Sequence, residues 1–120
     1  MNGLDKSNID LLRKEIFLTA FHGRTQHAHL VSAFSLGEVL YSLYVKKILN
    51  YDISNPSWPE RDRLILSKGH GALALYVSMA MAGFFSMDRL RKNFCFPGSP
   101  FGGEPHLHDL DGIEASTGSL

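Results

Sequence analysis

Residues 63–83 limit the folds open to this chain more than any other stretch. A short apolar run, Arg63-Leu64-Ile65-Leu66-Ser67, is followed at once by Lys68-Gly69-His70-Gly71, and then by Ala72, Leu75, Tyr76, Met79 and Ala82 at helical spacing. The shortness of the run and its β-preferring isoleucine predict a buried strand, and Gly83 predicts the helix stop. Strand, tight turn and helix in succession make an α/β unit. Such a unit brings free backbone N–H groups and the positive end of a helix dipole to one point, here beside His70, and that suits a phosphate or diphosphate. A glycine between strand and helix is common, however, and a histidine there is also an ordinary first-turn residue. The pattern alone leaves both readings open.

Helical signals lie on either side. Ile9, Leu12, Ile16, Ala20 and Phe21 repeat at helical spacing and predict a first helix over Asn8–Phe21. Arg24–Ala33 shows no clear period and reads as a loop, with His22, His27 and His29 in or beside it. Ser35 with Glu38 three residues on is a capping-box pattern, so a second helix is expected from there through Val39, Leu40, Leu43, Tyr44 and Ile48. Asn55-Pro56-Ser57-Trp58-Pro59 reads as a rigid surface connection, because each proline fixes its own φ and restricts the residue before it. Ser86 is placed to cap one more short helix. Pro97, Pro100, Pro105 and several glycines then imply about twenty residues of loop, a length that in a compact domain is usually functional.

Two parts of that tail have the composition of a site. Gly98-Ser99-Pro100-Phe101-Gly102-Gly103-Glu104-Pro105-His106-Leu107-His108 carries two histidines, but a metal needs three or four converging ligands, so a solvated or substrate-lining loop is the expectation. Gly112-Ile113-Glu114-Ala115-Ser116-Thr117-Gly118-Ser119-Leu120 is rich in small residues that let a backbone approach a ligand closely. It reads equally well as a turn entering a further helix.

Composition narrows the function classes. Twelve basic side chains balance twelve acidic ones, so no net field favours nucleic acid or an anionic membrane surface. No apolar stretch approaches the roughly 20 residues of a spanning helix, and the N-terminus lacks the basic start and apolar core of a signal peptide, which makes a cytoplasmic location the expectation. Cys95 is the single cysteine and is expected to be a plain buried or half-buried thiol.

Three ordered motifs change the argument. Arg61-Asp62-Arg63-Leu64-Ile65-Leu66-Ser67-Lys68-Gly69-His70, the GS-x-x-GG-x-P loop from Gly98, and Gly112 to Leu120 together resemble the cofactor-binding domain at the N-terminus of the transketolase family. The resemblance runs from Leu11 to Leu120. It implies an α/β fold, the N-terminal part of a thiamine-diphosphate-binding domain with a parallel sheet flanked by helices, spanning residues 1–120 and incomplete in this chain. It also implies that His70 contacts the cofactor diphosphate, and that Gly118, Ser119 and Leu120 form part of the thiamine-ring pocket. His29, by superposition on the family's early Gly-His-Pro loop, is a candidate catalytic residue facing the substrate.

Departures from the family pattern bear on substrate. Gly103-Glu104-Pro105 stands where the family has Gly-His-Pro, so Glu104 replaces an imidazole that contacts the donor sugar, with His106 two residues away as a second candidate. Leu30 and Ala28 replace the proline and glycine of the early loop. A specialised sugar substrate follows more readily than the standard pentose-phosphate set.

The activity implied is transfer of a two-carbon ketol unit from a ketose to an aldose, or between their phosphates, through attack of the cofactor's thiazolium carbanion on a ketose carbonyl. The family's Mg2+ ligands are expected beyond Leu120, as is the catalytic glutamate, which belongs to a C-terminal domain or a separate subunit in a homo- or hetero-oligomer. The chain alone is therefore expected to be inactive. Two other readings are carried: a truncated non-catalytic subunit that serves only for association, and a small α-rich domain that binds a phosphorylated ligand at His70. Magnesium-dependent cofactor binding separates them.

Overall fold

The computed structural model describes residues 3–22, 30–67, 71–96, 98–102, 105, 110–114 and 116. Among them are four helices: α1 (Gly3–His22), α2 (Leu30–Tyr44), α3 (Ala72–Ala82) and α4 (Met87–Asn93). Helix α3 packs against the other three, and α1 also packs against α2 and α4.

The central helix follows from its composition. Apart from Ser78 it is apolar on every side, and all residues from Ala72 to Met79 are buried. It stops where the sequence predicts: Gly83 takes a left-handed φ of 104°, and its N–H bonds the carbonyls of Met79 and Ala80 at 3.0 Å. Helix α4 also starts as expected, with the Ser86 hydroxyl accepting from the Arg89 N–H at 3.1 Å.

Helices α1 and α2 cross closely because of Gly37. A Cβ on Gly37 would lie 3.2 Å from Leu12 Cδ2, so the absence of a side chain lets the two backbones approach. Glu15 of α1 is 5% exposed. It is held by Arg91 of α4, whose Nε donates to Glu15 Oε2 at 2.8 Å and whose Nη2 donates to the other carboxylate oxygen.

Three expectations are corrected. The parallel sheet is not seen, since the described residues hold helices and no strand. The expected buried strand at Arg63–Ser67 is an irregular segment in which Leu66 is buried and Ile65 is 64% exposed. A strand exists only through the neighbour that completes its ladder, and among the described residues what lies beside Leu64 and Leu66 is Tyr44, Leu75 and the turn at Gly112. Second, α1 starts at Gly3 and α2 at Leu30, five residues before the capping pattern at Ser35. Ala33 is fully buried in the core, so packing extends the helix past the local cap signal. Third, the described residues of the proline- and glycine-rich tail are irregular, as expected, but not solvated throughout. Phe101, Pro105, Leu110 and Ile113 are buried.

The tail is held by aromatic packing. Tyr76 of α3 meets Phe101 edge-on at 5.6 Å and Phe94 at 6.3 Å, while Phe85 meets Phe101 at 4.9 Å. Between them Cys95 adopts a positive φ of 60°, and its N–H bonds the Phe101 carbonyl at 2.7 Å. Burial pushes the Cys95 thiol up from 9.0 to about 11. Farther on, Gly112 has a φ of 95°, and a Cβ there would lie 2.9 Å from Met79 Cε and 3.0 Å from Phe84 Cε1.

Replacing Arg91 with methionine keeps an unbranched stem but strips the buried Glu15 carboxylate of both hydrogen bonds. Chemical denaturation is expected to show a loss of about 2 kcal/mol, most of which the double variant E15M/R91M recovers because no charge is then stranded. Gly112→Ala combines a left-handed backbone with overpacking and is expected to cost about 3 kcal/mol. Gly98→Ala, at φ 77° with nothing within 4 Å of the new Cβ, is expected to cost about 1 kcal/mol. Equal losses at the two glycines would show that contact with Met79 and Phe84 contributes nothing. For Cys95 the neutral thiol is favoured in the fold, so its contribution to stability is complete below the unfolded pKa of 9.0 and is lost as pH rises toward about 11. Iodoacetamide at pH 8 should modify it about a hundredfold more slowly than an unstructured cysteine.

Candidate functional site

The flanks of all three sequence motifs meet around one small cavity. Leu64 and Leu66 come from the segment that precedes Lys68-Gly69-His70, and Leu75 from the helix that follows it. Pro105 comes from the long loop, and Gly112, Ile113 and Glu114 from the segment that leads to Ser116. Tyr44, the last residue of α2, completes the lining. Positions far apart in sequence are thus brought together next to the start of α3. Gly71 at the N-cap of α3 has no side chain to close the first turn, so the fold at this end suits an anionic group.

The polar centre of the region is an ion pair. Arg61 Nε and Nη2 donate to Glu114 Oε1 and Oε2, each at 2.8 Å, and the two side chains are only 16% and 14% exposed. The hydrogen bonds to Glu114 hold the Arg61 guanidinium above its ordinary pKa. The third guanidinium nitrogen, Nη1, donates to the Trp58 carbonyl at 2.9 Å. Next in sequence, Asp62 forms a two-way bridge with Asn50: its N–H donates to the Asn50 carbonyl at 2.8 Å, and its carboxylate accepts the Asn50 N–H at 2.7 Å.

Aromatic rings back this centre. Tyr51 donates its hydroxyl to the Tyr44 carbonyl at 2.5 Å, and Phe84 packs edge-on against Tyr44 at 6.0 Å. Burial first, and then the charge of Glu114, pushes the Tyr44 hydroxyl well above the ordinary tyrosine range, so it remains protonated. Its part in the site is therefore as a wall and a neutral hydroxyl.

The residues singled out in the sequence, His29, His70, Glu104, His106, Gly118, Ser119 and Leu120, lie outside the described residues. Their flanks are described: Ser67 before His70, Gly71 after it, Pro105 between Glu104 and His106, and Ser116 ahead of Gly118. Arg61 and Glu114 fall inside the motifs but carry no assigned role in the sequence reading. No local signal singles them out, since Arg61 is one of four charged residues in the run Arg61–His70 and its pairing with Glu114 spans 53 residues. Among the described residues no cluster of three or more His, Cys, Asp or Glu is placed to hold a metal ion, and no helix is long and apolar enough to cross a membrane.

Comparison with known proteins bears directly on the motifs. Residues 15–120 match the family described as transketolase, thiamine diphosphate binding domain. A 6-deoxy-6-sulfo-D-fructose transketolase subunit, SqwG, of Clostridium sp. (strain MSTE9) is 40% identical over 98 residues, which are 82% of this chain and 35% of that protein. The transketolase of Geobacillus stearothermophilus is 42% identical over 81 residues, and a probable transketolase of Streptococcus pneumoniae serotype 4 is 43% identical over 82; each alignment covers 67% of this chain and 12% of the relative. The chain therefore spans about a third of the first relative's length and about an eighth of the other two. With the match extending through the segment around the α3 turn, the long loop and the Gly112–Leu120 stretch, the chain belongs to the transketolase family through its thiamine diphosphate binding domain.

Proposed function

We propose that this chain is the N-terminal portion of a thiamine-diphosphate-dependent ketol transferase, and that its part in the reaction is to hold and orient the cofactor. The observation that carries this reading is the convergence of Leu64, Leu66, Leu75, Pro105 and Gly112–Glu114 around one cavity beside the start of α3. In such an arrangement His70 donates to the diphosphate, together with the first backbone N–H groups of α3. Gly118, Ser119 and Leu120 lie against the thiamine ring through backbone and apolar contacts. His29 faces the substrate and handles its protons, and Glu104 and His106 meet the hydroxyl groups of the donor.

Bound thiamine diphosphate supplies the carbanion chemistry that cleaves a ketose and carries its two-carbon unit. Mg2+ neutralises the diphosphate. The substrates are ketose and aldose sugars or their phosphates, and the reaction belongs to carbohydrate metabolism in the cytoplasm. A C-terminal transketolase domain or subunit, in a homo- or hetero-oligomer, supplies the rest of the catalytic machinery, and this chain is inactive without it. The word subunit in the name of the Clostridium relative supports that division, and the sulfo-sugar in the same name supports a donor other than the standard set.

A second reading, a non-catalytic association module, is favoured by one observation. Phe17 and Phe21 of α1 stack at 6.5 Å while 55% and 71% exposed.

Calorimetric titration of the chain assembled with its partner is expected to show thiamine diphosphate binding that EDTA abolishes and Mg2+ restores. His70→Ala is expected to weaken that binding by about tenfold to a hundredfold. No binding with or without Mg2+, in an assembly that still forms, would sink the catalytic reading and leave the association module.

A further inference from the structure

We infer that the Arg61–Glu114 ion pair is a positioning clasp that sets the segment entering the thiamine-ring pocket against the segment entering the phosphate turn. This inference rests on the function proposed above. It assigns a role to two residues that touch neither cofactor nor substrate in that scheme.

The argument begins with reach. Arg61 stands six residues before Ser67, the last described residue ahead of Lys68-Gly69-His70, and Glu114 stands two residues before Ser116, the last described residue ahead of Thr117–Leu120. The pair joins these stretches across 53 residues through two parallel 2.8 Å hydrogen bonds. A two-pronged contact fixes orientation as well as distance, which a single point charge does not.

Each half of the clasp is also anchored. Trp58 accepts from Arg61 Nη1 at 2.9 Å and from the Arg61 backbone N–H at 3.1 Å, and Asp62 is bridged both ways to Asn50. On the other side Gly112 is wedged under Met79 and Phe84, and Ile113 is buried. Both ends of the pair are thus tied to the body of the fold. A mostly buried ion pair is a poor source of net stability, because desolvation offsets the attraction, whereas it discriminates well between alternative registers. Placement is therefore the contribution this pair is suited to make.

Two variants test the clasp in the assembled holoenzyme, with thiamine diphosphate itself as the probe. Arg61→Lys keeps a cation opposite Glu114 but loses the fork, and Glu114→Gln keeps the shape but loses the charge. Both are expected to raise the cofactor dissociation constant about tenfold, the scale seen when a group that orients a binding residue is removed. The KM for the donor ketose at saturating cofactor should stay at its wild-type value. A merely structural role would lower the melting temperature yet leave the affinity of the folded fraction unchanged, and that result overturns the clasp. Should Glu114→Gln fail to fold, Arg61→Lys decides alone. His70→Ala serves as the control that separates the two claims. If it weakens binding while both clasp variants match wild type, the clasp falls and the function stands; if wild type binds no cofactor, both fall.

Discussion

An eleven-residue helix with apolar side chains around almost its whole circumference persists in water only when every side is covered, and α3 is such a helix. Its demands organise the described structure. Helices α1, α2 and α4 each cover part of it, and the tail covers more through Phe101 against Tyr76 and through the Gly112 turn beneath Met79. The first turns of α3, from Ala72 to Met79, are thereby buried. Under the proposed function such a mount matters, since donors fixed in advance lose little freedom when a ligand arrives.

Charged groups then tie down what the core cannot reach. Arg91 and Glu15 join α4 to α1, and Arg61 and Glu114 join the stretch before α3 to the tail. Both are arginine forks on carboxylates that are mostly out of water, and each links residues more than fifty apart in sequence. The exposed pairs, Arg13 with Glu38 and Lys92 with Asp88, sit on helix surfaces, where solvent screening leaves them little weight.

How much of this could be read from the sequence depended on how local the cause was. Helix α3, its Gly83 stop and the Ser86 cap were legible because spacing and end signals lie within the element itself. The start of α2 was not: Ser35 and Glu38 form a persuasive cap pattern, but burial of Ala33 in the core carries the helix back to Leu30. The stretch 63–67 was read as a strand from composition, and the ladder that defines a strand depends on another segment of chain. Composition marked residues 98–116 as irregular without revealing that Phe101 and Ile113 are core residues. The three motifs and their family were legible from order alone, whereas the Arg61–Glu114 contact, a long-range pairing, left no local trace.

The position of α3 in the chain also bears on synthesis. Helices α1 and α2 leave the ribosome first, and the surface they share is completed by a helix separated from α2 by the 27 residues 45–71. At the usual pace of translation that interval is about one to five seconds, during which Leu40, Tyr41 and Tyr44 have no α3 to face. The intervening stretch answers this with order of its own. Asn50 and Asp62 bridge to each other, Trp58 bonds back to Asn55, and Tyr51 reaches the Tyr44 carbonyl, and every one of these partners is synthesised before α3. The contacts that cover the end of α2 are therefore local ones, whose partners need no later part of the chain, whereas the burial of α3 requires surfaces synthesised well before it.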